Sequence, residues 1–182
     1  QKNKMIDLII GNFPKNTNKI FIVRSNLEKK YLDYLKKIQN SKIYFIKPHN
    51  YGPLYTLQAI KDKIINMNKI YVSYCDINWT WGKNKKLNHN YNYVFCYKGY
   101  HPFTEDNNNY AFCKVNKSDI LQIKEKESFT KKWQNEPLSV GLFYYQNGRE
   151  LVESNNEIIK KNIKINNEYF PSLSFNFLKK KK

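Results

Sequence analysis

Arginine is nearly absent from this chain of 182 residues, in which Arg24 and Arg149 stand against a formal net charge of +17. Lysine carries almost all of the positive charge, and the lysines are scattered along the whole sequence. Binding to a nucleic-acid backbone needs clustered positive charge, and arginine supplies the planar fork that reads bases. We therefore expect no specific nucleic-acid partner.

Other absences narrow the class of protein further. No apolar run reaches membrane-spanning length, and residues 1–4 lack the apolar centre of a signal peptide. The three histidines lie far apart, which argues against a zinc site. The three cysteines have no metal-ligand spacing, and each lies in an apolar run, which predicts buried thiols in a reducing compartment. We expect a cytoplasmic protein without a membrane span.

Apolar residues make up 41% of the chain and aromatic residues 16%, enough for one domain with a real core. In the first half, strand-like runs alternate with helical patterns, which predicts parallel strands joined by right-handed crossovers. Ser25 is a plausible N-cap, with Glu28 as its capping-box partner. The expected helices cover 5–13, 26–38 and 54–65, and the expected strands cover 19–23, 42–46 and 70–75.

The second half reads as short strands separated by turn-rich gaps. The expected strands cover 93–97, 110–115, 120–124 and 139–145, and a helix is expected at 150–163. We predict a three-layer α/β sandwich whose central sheet is mainly parallel at first and mixed in the second half.

The clearest sign of chemistry is an acid at the end of a strand-like run. Residues 70–75 are mainly apolar, β-branched or aromatic, and Asp76 ends the run. Ligands of open α/β sheets bind beyond the carboxyl ends of the strands, so this carboxylate is expected to face a crevice. There it could hold a divalent cation that neutralises nucleotide phosphates. The alternative interpretation is that Asp76 only caps the following turn.

Three further features fall at expected ends of strands or helices. Gly52 opens a helix, where a missing side chain would let a ligand approach backbone amides. Glu125 and Lys126 follow the strand 120–124. Gly141 lies early in its strand, where it would leave room for a ring or sugar. Each feature also has a structural interpretation, namely a plain turn, a solvated surface pair and a bulge.

Seven short segments follow one another along the chain: Met-Ile-Asp at 5–7, Tyr-Gly-Pro-Leu-Tyr-Thr at 51–56, Val-Ser-Tyr-Cys-Asp at 72–76, Gly-Tyr-His-Pro at 99–102, Tyr-Ala-Phe at 110–112, Glu-Lys at 125–126 and Gly-Leu-Phe-Tyr-Tyr at 141–145. In this order they resemble the sugar-nucleotidyltransferase-like enzymes of capsule and surface-polysaccharide synthesis. The resemblance spans nearly the whole chain. It implies the GT-A nucleotide-diphospho-sugar transferase fold, a Rossmann-like αβα sandwich with a mixed central sheet.

The resemblance also implies residue roles. Asp76 would hold Mg2+ (or Mn2+), and Gly52 with its neighbour Tyr51 would border the base or sugar. Glu125 would bond sugar hydroxyls, and Lys126 would meet the sugar-side phosphate and take part in catalysis.

Further candidates are less specific. Asn78, two residues after the acid, would serve in place of a second metal-motif acid in a glycosyltransferase, and Gly141 would face the substrate. His101 is a candidate base or ligand contact, although a histidine beside proline is more often a packed structural residue. Trp79 and Trp81 could stack on a base or sugar, or cover the edge of a core.

The chain departs from the family at both ends. We expect a single nucleotidyltransferase-like domain over 1–182 that lacks the family's N-terminal Gly-rich loop and its C-terminal second metal-binding acid, and that is therefore a fragment or a degenerate copy. The implied function is Mg2+-dependent nucleotidyl transfer from a nucleoside triphosphate to a sugar phosphate. The alternatives are a glycosyltransferase using a nucleotide sugar and a non-catalytic binding module. The base, the sugar and the oligomeric state stay open.

Overall fold

The computed structural model describes residues 4–80, 87–99 and 109–178. The helices are α1 (Met5–Gly11), α2 (Lys29–Lys36), α3 (Pro53–Gln58), α4 (Lys61–Ile64), α5 (Gly148–Lys160) and α6 (Pro171–Ser174). The strands are β1 (Lys19–Arg24), β2 (Ser41–Ile46), β3 (Asn68–Ser73), β4 (Tyr93–Tyr97), β5 (Ala111–Asn116), β6 (Asp119–Glu125) and β7 (Leu138–Asn147). A short 3-10 helix covers Trp133–Asn135.

The strands form two sheets. β1 and β2 pair in parallel from Lys19 opposite Ser41 to Arg24 opposite Ile46. In the larger sheet, β7 pairs antiparallel with both β3 and β4. Leu138, the first residue of β7, also pairs with Phe112 of β5, and β5 pairs antiparallel with β6. The α/β class with a mixed strand order is confirmed. The expected parallel pairing holds for β1 and β2, whereas β3 pairs with the late strand β7.

The hydrophobic core is built around β7 and α5. Phe143 and Tyr145 of β7 are almost fully buried, and Leu151 and Ile158 of α5 are inaccessible to solvent. The Asn147 side chain accepts a hydrogen bond from the backbone of Glu150 and so caps α5. Strands β1 and β2 contribute only partly buried side chains to this core.

Two helix boundaries differ from the sequence prediction. Helix α2 begins at Lys29 and not after Ser25, because the Ser25 amide still donates to Ile46 and continues the pairing of β1 with β2. The predicted helix 54–65 is two helices, broken where Ile60 leaves helical geometry at φ −116° and ψ 20°. The Ile60 side chain is buried at this break, so packing outweighs helical continuity.

The prediction of three buried thiols is wrong for two of them. Cys113 is buried, but Cys75 lies beyond the end of β3 and Cys96 follows an irregularity in β4, and both are exposed. Among the described residues, no helix combines the length and the apolar character needed to cross a bilayer.

Candidate functional site

A cavity of about 330 Å³ lies where the segment after β3 meets β5, β6, β7 and α6. It brings together three predicted site residues that are far apart in sequence, Asp76, Glu125 and Gly141. The remaining lining residues are Tyr74, Ile77, Asn109, Tyr110, Ala111, Ser139, Phe143 and Ser172.

Glu125 is the buried acid of this cavity. It is the last residue of β6 and is only 7% exposed. Ser172 of α6 donates a hydrogen bond of 2.5 Å to its Oε2. Burial raises the pKa of Glu125 to about 7, while the Ser172 hydrogen bond and the charge of Lys126 oppose the rise and the charge of Glu168 adds to it. The side chain can therefore act as an acid or as a carboxylate near neutral pH.

Asp76 is the exposed acid of the same cavity. It lies three residues beyond β3, as expected for a residue at the carboxyl end of that strand. Its carboxylate forms no hydrogen bond or ion pair with any residue in the described part of the chain. This arrangement leaves the carboxylate oxygens available to a ligand, which a residue acting only as a cap would not do.

Gly141 lets the Tyr74 ring sit against the backbone of β7. A Cβ at position 141 would lie 2.7 Å from Cδ2 of Tyr74 and 3.1 Å from Cδ1 of Ile77, and the glycine has φ +68°. The space left by its missing side chain is therefore filled by a ring of the protein itself. Burial, and then the charge of Glu125, raises the pKa of Tyr74 and keeps its hydroxyl neutral.

Lys126 follows Glu125 in the left-handed region at φ +58°. Its backbone amide donates to the carbonyl of Tyr110 at 2.9 Å, which closes the end of the β5–β6 pair. Its ammonium lies 4.9 Å from the centre of the Phe170 ring and does not line the cavity. A role in phosphate binding stays a prediction and requires a rotation of this long side chain.

A second cavity, of about 290 Å³, lies beyond the carboxyl ends of β1 and β2. Gly52, at φ +85°, caps the start of α3 here. A Cβ on Gly52 would lie 2.7 Å from the carbonyl oxygen of Tyr169, so the close approach at this glycine is made by the chain itself. The other lining residues are Ile22, Arg24, Ile46, His49, Asn50, Pro53, Thr56 and Glu168.

Glu168 is the acid of the second cavity, and its charge also acts on Tyr74 and Glu125 of the first. A tight turn presents it, with Asn166 and Asn167 at φ +51° and +65° and reciprocal hydrogen bonds between residues 165 and 168. The turn places the Glu168 carboxylate at the second cavity.

Tyr51 lies beside the second cavity and is 49% exposed. Its ring is 4.9 Å from that of Tyr55, and its amide donates to Nδ1 of His49 at 3.2 Å. Since Nδ1 accepts this bond, the hydrogen of His49 is on Nε2, which lies 3.3 Å from Oγ1 of Thr56. These two contacts hold the His49 ring in place at the second cavity.

The remaining candidates lie elsewhere or outside the described residues. Asn78 accepts a hydrogen bond of 3.3 Å from Asn12 and lines neither cavity. The Trp79 ring packs edge-on against Phe13 at 5.3 Å, which places it beside α1. His101 and Trp81 lie outside the described residues.

Sequence reasoning did not single out Ser172 or Tyr110 as cavity residues. Ser172 is 47 positions from Glu125 in the chain, and no local pattern connects the two. The sequence analysis also did not predict Arg24 as a site residue. Arg24 is the last residue of β1, so the rule that pointed to Asp76 beyond the end of β3 applies to it as well.

Solved structures share this fold. A nucleoside-diphosphate-sugar pyrophosphorylase from Vibrio cholerae matches with a TM-score of 0.72 and 16% identity, over 96% of this chain and 75% of that one. The inositol-1-phosphate CTP transferase from T. maritima matches with a TM-score of 0.57 and 12% identity, over 89% of this chain and 61% of that one. A protein assigned as a glucose-1-phosphate thymidylyltransferase from Bacillus anthracis matches with a TM-score of 0.52 and 13% identity, over 80% and 56%.

No family model and no curated protein matches the sequence. At these low identities the structural likeness defines the fold, which is that of the nucleotide-sugar pyrophosphorylases and related nucleotidyltransferases.

Proposed function

We propose that this chain is a Mg2+-dependent nucleotidyltransferase that forms an NDP-sugar, or a similar activated small molecule, from a nucleoside triphosphate and a phosphorylated substrate. The observation that carries the proposal is the convergence of Asp76 and Glu125 on one cavity in a pyrophosphorylase-like fold. We assign the reaction to the cytoplasm, where nucleoside triphosphates are available, and to the synthesis of capsule or other surface glycans.

The donor set of the cavity suits Mg2+. Asp76 offers hard carboxylate oxygens with no partner among the described residues, and Mg2+ typically binds one or two carboxylates together with waters and substrate phosphates. In the described part of the chain, no group of three or more histidine, cysteine, aspartate or glutamate side chains could form a protein cage for a metal ion. When bound, the ion would offset the charge that develops on the nucleotide phosphates.

The protein side chains then have separate tasks. Glu125, fixed by Ser172, positions the substrate at the buried side of the cavity. Lys126 can swing from Phe170 towards a phosphate, since no ion pair holds it within the described residues. An oxygen of the substrate phosphate attacks the α-phosphorus of the nucleoside triphosphate, the bond to the β-phosphate breaks and pyrophosphate leaves, so the reaction requires no protein nucleophile.

Asp76→Asn tests the proposal because it keeps the shape of the side chain and removes its charge. In calorimetry with Mg2+ present, we expect the affinity for a nucleoside triphosphate to fall about tenfold or more. The melting temperature should change little. Asp119→Asn, at an exposed position at the start of β6, is the matched control and should bind like the parent.

Two results would count against this assignment. Equal Mg2+ and nucleotide binding by the parent and Asp76→Asn would mean that the Asp76 carboxylate is not a metal ligand. Binding of nucleotide without pyrophosphate release in the presence of a phosphorylated substrate would favour a glycosyltransferase or a non-catalytic binding module.

A further inference from the structure

The cavity beside Asp76 is lined by acidic side chains, whereas the protein as a whole is strongly positive. The formal net charge of the chain is +17, yet Asp76 and Glu125 both line this cavity. Glu168 lies close enough for its charge to act on Glu125 as well. An anionic cavity in a basic protein attracts cations and repels a second anion.

Among the described residues, no lysine, arginine or histidine forms an ion pair with Glu125. Its Oε2 accepts the hydrogen bond from Ser172, and Oε1 has no hydrogen-bond partner in the described part of the chain. The Lys126 ammonium lies over the Phe170 ring. A carboxylate that is only 7% exposed is costly to ionise without a partner, so a cation brought by the ligand would stabilise it.

Aromatic rings provide the rest of a cation site. Tyr74, Tyr110 and Phe143 line the same cavity as Glu125. Ring faces attract ammonium groups, including quaternary ones that cannot donate a hydrogen bond. Rings together with a buried carboxylate therefore suit an organic cation better than a neutral hydroxyl group.

We propose that this cavity selects a phosphorylated small molecule that carries an ammonium group, either an amino sugar phosphate or an amino alcohol phosphate. The ammonium lies between Glu125 and the rings at the buried side, and the phosphate lies towards the exposed Asp76, where a bound Mg2+ would offset the repulsion between the two anions. This inference rests on the proposed nucleotidyltransferase function and narrows its substrate class.

Two pairs of probes isolate the effect of the ammonium charge and distinguish an amino sugar phosphate from an amino alcohol phosphate. Glucosamine 1-phosphate is compared with glucose 1-phosphate, and phosphocholine is compared with 3,3-dimethylbutyl phosphate, in which carbon replaces the quaternary nitrogen. Calorimetry with the full chain and Mg2+ should give about tenfold tighter binding of the charged member in at least one pair. The pair that shows the preference identifies which of the two is bound.

Glu125→Gln should abolish that preference, because the charged member then loses the carboxylate that faces its ammonium group. Glutamine retains the size of the side chain and an oxygen that can accept from Ser172, so the variant should fold. Glu127→Gln is the control, because Glu127 is exposed and pairs with Lys124 outside the cavity.

The outcomes separate this inference from the proposed function. Equal affinities within both pairs, no binding of either pair, or a preference unchanged in Glu125→Gln would overturn the inference. Pyrophosphate release with glucose 1-phosphate as efficient as with the charged probes would overturn it while supporting nucleotidyl transfer. Failure to bind any nucleotide with Mg2+ would remove the proposed function as well.

Discussion

Glu125 couples the cavity to the stability of the fold. The carboxyl is placed by the end of β6 and by α6, two elements that pack together through Ser172 and through the Asn176 side chain, which bonds both the amide and the carbonyl of Ile123. Ionising the carboxyl therefore puts a charge at a packed junction. Its protonation should be visible in measurements of stability as well as of binding.

The free energy of unfolding of the parent should fall as the pH rises from about 5 to about 7. The part of this fall that is due to Glu125 should be missing in Glu125→Gln. The folded protein retains a proton on Glu125 up to a pKa of about 7, whereas the unfolded chain releases it near the ordinary value of 4.5. Stability from this group is thus complete below 4.5 and is lost as the pH rises through 7. The full difference corresponds to about 3 kcal/mol. Urea denaturation of parent and variant across this range measures it.

The difference between the two proteins is the informative quantity, because the other acids and the histidines also titrate. Glu127→Gln provides the baseline for removing an exposed acid. Parallel pH profiles for the parent and Glu125→Gln would mean that Glu125 is ionised normally in the folded state.

The two acids that the sequence predicts as site residues and that line the first cavity share one property. Asp76 and Glu125 lie at or just beyond the ends of strands, where the chain leaves the core. A strand-like run of residues that ends at an acid predicts this position from the local sequence alone. Tyr74 and Ser172 reach the cavity only because β7 and α6 pack where they do. No periodicity encodes such packing, so these residues become visible only in the folded structure.

The junction between α4 and α5 depends on a glycine. The Gly148 amide donates to the carbonyl of Met67 at 2.7 Å, and a Cβ on Gly148 would lie 1.7 Å from the carbonyl oxygen of Ile64. The obstructing atom is backbone, so it cannot move away as a side chain would. This contact connects α4, β3 and the start of α5 around the core.

Gly148→Ala should destabilise the protein by about 2 kcal/mol or more, since the backbone at Ile64 must shift to admit a methyl group. Gly11→Ala is the matched control. Gly11 ends α1, and a Cβ there would meet no atom of the described residues within 4 Å, so alanine should be neutral or stabilise by up to about 1 kcal/mol. Thermal and urea denaturation of both variants measures the contrast. Equal stabilities would mean that the junction is looser than these distances indicate.

At the level of elements, sequence patterns placed most strands and helices but not their partners. Apolar runs in the sequence predicted β1, β2, β3 and β7 close to their observed positions. The antiparallel pairing of β3 with β7 was not predicted, because hydrophobic periodicity sets which residues are buried and leaves open which strand lies alongside. The start of α2 was also wrong, since the Ser25 amide is used by the sheet and not by a helix cap.

The whole molecule consists of two sheets that contribute unequally to one core. Most residues of β7 are buried, whereas β1 and β2 contain no fully buried residue. Among the described strands, β1 and β2 form hydrogen-bonded pairs only with each other. Their attachment to the rest of the molecule therefore depends on the packing of partly buried side chains such as Ile20, Ile22 and Ile46.

We therefore expect the β1–β2 pair to open at a lower free energy than the larger sheet. Local stability follows buried apolar contact, and opening this pair breaks no hydrogen bond to a strand of the other sheet. Native-state hydrogen exchange followed by mass spectrometry should give faster exchange for peptides covering 19–24 and 41–46 than for peptides covering 138–147. The second cavity lies at the ends of β1 and β2, so a nucleotide bound there should slow exchange in these strands.

Hydrogen exchange with a nucleotide bound also provides the control for this prediction. A nucleotide that binds only beside Asp76 should protect β7, which lines the first cavity, and leave 19–24 and 41–46 unchanged. If β1, β2 and β7 exchange at the same rate and with the same dependence on denaturant, the two sheets open together. The molecule would then behave as one cooperative unit in spite of its two separate hydrogen-bonded sheets.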